Sequence, residues 1–142
     1  MPAHQSISNT TPASSSAETS HLQRFQQLES DIRHYQQYPH GHNPDIKAEW
    51  LNEYIDLGLD MAQQAEAANR TQLQESWLKR VYNTLFETAL DLVQPDHWRN
   101  LCRDYLYQPL FALQHLYRSQ PNGDRRIRVL YHELSVTSRY LF

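Results

Sequence analysis

The sequence predicts an all-α fold, an antiparallel bundle of about four to five helices behind a disordered N-terminal tail. Three observations carry this. Apolar residues recur at steps of three and four from Leu22 onward, the helical period. Only 3 glycines occur in 142 residues, which disfavours a turn-rich β fold. Helix-start signals recur at Pro44, Thr71 and Pro95.

Residues 1–19 are rich in Ser, Thr, Ala and Pro and hold little to bury. Ordering them would cost backbone entropy without compensating contacts, so they read as a disordered tail, with one folded domain over 20–142. The first helix is expected over 20–38, with Leu22, Phe25, Leu28, Ile32 and Tyr35 inward. Asn43 suits an N-cap, Pro44 the first helical position and Asp45 the positive end of the dipole, so a second helix runs to about Ala68. Its stripe is Trp50, Leu51, Tyr54, Ile55, Leu57 and Met61. Thr71 and Gln74 read as a capping box for a third helix, whose wide apolar face extends from Leu73 to Leu92. Pro95 and Asp96 open a fourth, with Trp98, Leu101, Cys102, Tyr105 and Leu106 inward. Pro109 removes a backbone donor, so a kink or short break is expected there before helix resumes through Tyr117. Pro121, Asn122 and Gly123 form a turn, and Asp124 opens a fifth helix to about Arg139. Short connections make neighbouring helices antiparallel.

Composition narrows the function classes. A net charge of −3 argues against nucleic acid as a partner. One cysteine cannot form an internal disulfide. The first 20 residues lack the basic start and apolar centre of a signal peptide, and no apolar run is long enough for a membrane helix. A cytoplasmic protein is the expectation, with no membrane contact. No Gly-rich phosphate loop, Cys-x-x-Cys pair or Gly-x-Ser-x-Gly elbow occurs.

Residues 85–110 concentrate unusual chemistry. Thr88, Ala89 and Asp91 are followed by Pro95, His97, Trp98, Arg99, Leu101, Cys102 and Asp104, then Pro109 and Leu110. This pattern resembles the FagA family, small bacterial proteins named for a Fur-associated gene. A weaker likeness reaches back to about Leu28. The resemblance implies a role when iron is scarce, since such proteins are encoded beside an iron-independent fumarase and a manganese superoxide dismutase. It supplies no catalytic residues to carry over.

His97, Trp98, Arg99 and Asp104 are the candidate partner-binding residues. If Trp98 is partly exposed, His97 and Arg99 flank it as an aromatic-plus-cation contact. The competing reading makes Trp98 a core anchor that the other two cover. Arg99 is expected at the interface. His97 and Cys102 lie five apart, a rotation of about 140°, so they do not share an ion, and Cys102 reads as a buried, unreactive thiol.

Glu49, Glu53, Asp56 and Asp60 share one face of the second helix. A di-metal bundle would need inward carboxylates with Glu-x-x-His pairs, and Asp31 with His34 only echoes one. A solvated acidic face is the simpler reading, and no metal or other cofactor is expected. His40 and His42 form a weak His-Gly-His loop motif. Arg125, Arg126 and Arg128 form a basic cluster where a helix start repels cations, so it is not there for helix stability. The sequence therefore points to a non-enzymatic accessory protein with an unknown protein partner. The alternative is a metal- or haem-binding bundle that uses His34, the acidic stripe and His97.

Overall fold

The computed structural model describes the backbone of residues 2–38 and 44–141 and the side chains of residues 16–38 and 48–139. Within these, the protein is all-α. The helices are α1 (Pro2–Arg33), α2 (Pro44–Ala67), α3 (Thr71–Leu90), α4 (Asp96–Tyr105), α5 (Tyr107–Arg118) and α6 (Gly123–Leu141), with a 3-10 turn at Tyr35–Gln37. The α4–α5 pair is the broken fourth helix, which leaves five passes of the chain.

Helix α1 takes in the segment expected as a tail, and the side chains before residue 16 lie outside the described residues. Residues 16–20 are all exposed, and the first buried side chain is Phe25. Asn43, His40 and His42 also lie outside the described residues.

The directions of the helices follow from their contacts. Glu29 meets Tyr54 while Phe25, earlier on α1, lies against Gly58, later on α2, so α1 and α2 run antiparallel. Tyr54 meets Thr84 while Gln74 meets Glu66, so α2 and α3 do too. Tyr131 bonds Gln114 and Arg126 lies over Tyr117, which sets α6 against α5. Helix α3 is central, in contact with each of the other five helices. It buries Leu78, Val81, Tyr82, Thr84, Leu85, Phe86, Thr88 and Ala89. Two residues expected on its inner face are exposed. Leu73 is at its first turn and Leu92 lies beyond its end.

Local chemistry explains the boundaries. Helix α2 closes with Arg70 N–H on the Ala65 carbonyl and Asn69 N–H on Glu66, with Asn69 left-handed at φ 58°. That Schellman closure makes Arg70 the residue preceding α3, and the expected Thr71–Gln74 box does not form. The Gln74 amide goes to Glu66 instead. The break at Pro109 appears one turn upstream, because the ring excludes the hydrogen bond to the carbonyl four residues back. That residue is Tyr105, the last of α4. Gly123 opens α6 so close to α5 that a Cβ there would lie 1.7 Å from the Tyr117 carbonyl oxygen.

Candidate functional site

The 95–110 block packs across the ends of α1 and α3. A helix leaves its last four carbonyls without internal donors. Trp98 donates its indole N–H to the Ile32 carbonyl at 3.0 Å. Gln94 donates its amide to the Arg33 carbonyl at 2.7 Å and also bonds the Gln36 side chain. Arg99 donates Nε–H to the Ala89 carbonyl at 2.9 Å, placing a cation at the negative end of α3. The block thus terminates two helices that precede it in the chain.

This geometry corrects two site expectations. Trp98 is fully buried, stacked on Tyr35 with centroids 4.3 Å apart, and cannot touch a partner. Arg99 is not an open contact residue. Its side chain is 17% exposed and is held by Ala89 and by Asp96 at 3.5 Å. His97 and Asp104 are both exposed. His97 Nε2 lies 2.8 Å from the Tyr35 hydroxyl, and Asp104 pairs loosely with its neighbour Arg103 at 3.6 Å. Cys102 is buried, and burial pushes its thiol up, away from the reactive thiolate.

The acidic stripe faces outward. Glu49, Asp56 and Asp60 are exposed along an open groove with Trp50, Leu57 and Leu59, and Arg24 grips Glu53 through Nε and Nη2. His34 Nδ1 is tied to the Ser30 carbonyl at 2.8 Å, and Asp31 accepts the Tyr38 hydroxyl. Among the described residues, no group of three or more His, Cys, Asp or Glu side chains could hold a metal ion. In the basic cluster, Arg126 is fixed by Glu75 at 2.6 Å and by Gln120 at 2.7 Å.

The most organised polar centre was not anticipated. Glu29 on α1 accepts both Nε and Nη2 of Arg80, at 2.8 and 3.0 Å, and the Tyr54 hydroxyl lies 3.0 Å away. Thr84 bonds Tyr54 at 2.9 Å and receives Arg33 at 3.1 Å. Burial raises the Glu29 carboxyl, but its hydrogen bonds from Arg80 and Tyr54 outweigh that and hold it below the ordinary range. Burial drives the Tyr54 phenol upward. The centre joins α1, α2 and α3, and its carboxylate is held by Arg80 and Tyr54. A sequence signal existed. Phe25, Leu28, Glu29 and Ile32 follow the 0, 3, 4, 7 spacing of a buried stripe, so Glu29 stands where an apolar residue belongs.

Several large apolar side chains are exposed among the described residues, and the two most exposed are neighbours. Leu92 and Val93 are 81% and 70% exposed on the turn between α3 and α4. Asp91 fixes that turn by accepting Val93 N–H at 3.1 Å, and Gln94 is buried beside them.

No family model, curated protein or solved structure matches this chain. No helix among the described residues is long and apolar enough to cross a membrane.

Proposed function

We propose that this chain is a small non-enzymatic accessory protein that works by contact with another protein during iron limitation. The observation that carries the contact reading is the Leu92–Val93 turn. Two aliphatic side chains stand in water on a backbone pinned by Asp91 and the buried Gln94. A partner covering them would gain apolar burial with little ordering cost. Exposed His97 lies at the same end and remains a candidate contact, with Asp104 two turns further along α4. The commitment of Arg99, Cys102 and Glu29 to the fold supports a contact role over a catalytic one. The iron-limitation context rests on the resemblance of the 95–110 block to the FagA family. The alternative, a metal- or haem-binding bundle, has less support because the acidic stripe faces outward.

Affinity capture from iron-starved cells, with elemental analysis of the same preparation, tests both readings. The expected result is a specific partner that is lost with Leu92→Asp/Val93→Asp while the melting curve is kept. Capture unchanged by that double variant, or about one metal per chain, would displace this reading.

A further inference from the structure

The inner face of α6 is spent on the bundle. Leu130 is buried and Ile127 and Leu134 pack beside it. Its outer face carries a second pattern. At about 100° per residue, Arg125, Arg128, Val129, His132, Val136 and Arg139 fall within a sector of about 100°, opposite Leu134. All six are exposed, Val129 at 60% and Val136 at 42%. Asp124 and Glu133 lie outside this sector. Among the described residues, neither Arg125, Arg128 nor Arg139 has an ion-pair partner, although the chain as a whole carries a net charge of −3.

Two further facts bear on this stripe. Arg125 occupies the first turn of α6, where the helix dipole disfavours a cation. Arg126 is compensated there by Glu75, and Arg125 is not. Beside the stripe lies a cavity of about 220 Å³, lined by Lys79, Tyr117, Arg125, Val129 and Leu130 among others. Arg126 and Glu133 complete the lining, so an apolar side chain of a partner would rest on Tyr117, Val129 and Leu130.

We propose that this outer face of α6 docks an acidic amphipathic helix of another protein. Such a helix would set its carboxylates against Arg125, Arg128 and Arg139 and its aliphatic side chains against Val129 and Val136. One apolar anchor would enter the cavity. The charges give register and encounter rate, and the valines give the contact its apolar centre. A nucleic-acid backbone would use the three arginines but gain nothing from valines between them. Two valines are also too small an apolar wedge to hold a helix in a lipid interface. This inference does not rest on the Leu92–Val93 reading, and its variants leave that turn intact, so either can fail alone.

The test is fluorescence anisotropy on the full chain, with a labelled helical peptide of glutamate and leucine at three/four spacing. Saturable binding is expected, weakened by salt. Both Arg125→Glu/Arg128→Glu and Val129→Asp should weaken it at least about tenfold, with unchanged melting temperatures. The proposal is overturned if either variant binds like the wild type, or if a lysine–leucine peptide binds equally well. Tighter binding of oligothymidylate or phosphatidylserine vesicles, insensitive to Val129→Asp, would also overturn it. So would salt-sensitive self-association of the chain that the double variant abolishes.

Discussion

Trp98 donates its indole N–H to the main-chain carbonyl of Ile32, 3.0 Å away and 66 residues earlier in the chain. One side chain thereby fills the space beneath Tyr35 and satisfies a carbonyl at the end of α1. Packing and polar satisfaction are separable here. Trp98→Phe keeps one six-membered ring and removes the donor with a smaller part of the packing. The Ile32 carbonyl is then left buried without that bond, at a cost of about 1–3 kcal/mol. Trp98→Ala also opens a cavity and should cost about 3–5 kcal/mol. Urea denaturation of both variants measures the difference. Equal losses would mean that packing of the ring contributes nothing beyond the hydrogen bond.

Arg99 supplies the matching closure on α3. Arg99→Ala removes the donor to Ala89 and should lower stability by about 1–2 kcal/mol, while partner capture survives. Arg99→Lys keeps the charge but loses the planar Nε–H donor, so an intermediate loss is expected. A variant that melts like the wild type yet loses its partner would return Arg99 to the interface.

These closures mark the limit of what the sequence reveals. The helices were legible because each carries its own three/four spacing, and the break near Pro109 because a proline acts on residues next to it. Trp98, Gln94 and Arg99 cap helices that lie 10 to 66 residues away. Nothing local distinguishes them from surface residues, so a cluster of His, Trp and Arg reads equally well as a contact patch. Leu92 misled in the opposite way. It continues the apolar period of α3 past the point where Asp91 turns the chain. The Glu29 centre left a trace, as a partly buried carboxylate on an apolar stripe.

Glu29 gives the fold a pH dependence with a definite sign. Its carboxyl is lowered in the folded protein from an ordinary value of 4.5, so the unfolded chain binds the proton more tightly. Its contribution is present above pH 4.5 and is lost as pH falls through the folded value. The wild type should therefore lose stability in that acid window more steeply than Glu29→Gln. Glu29→Gln should itself be destabilised at neutral pH, because Arg80 is left half-buried without its carboxylate. Thermal melts of the two proteins across the acid range decide the matter. Parallel pH curves would show that other carboxylates control the acid transition.

Gly123 offers the last test, of how α6 is held. Glycine to alanine in a helix ordinarily stabilises by roughly 0.5–1 kcal/mol. Here the added Cβ would lie 1.7 Å from the Tyr117 carbonyl oxygen and 2.6 Å from its carbon. Both atoms are backbone, so the methyl cannot be accommodated by a side-chain rotation. The turn between α5 and α6 must open. Opening it pulls Arg126 away from Glu75 and from the Tyr117 ring, two of the contacts that seat the start of α6. Gly123→Ala should therefore destabilise the protein, against the usual sign, and expose α6 to limited proteolysis before the rest of the bundle. Asn122→Ala, on the exposed side of the same turn, should do neither. A Gly123→Ala variant that melts at or above the wild-type temperature would mean that the close approach to Tyr117 is not what fixes α6.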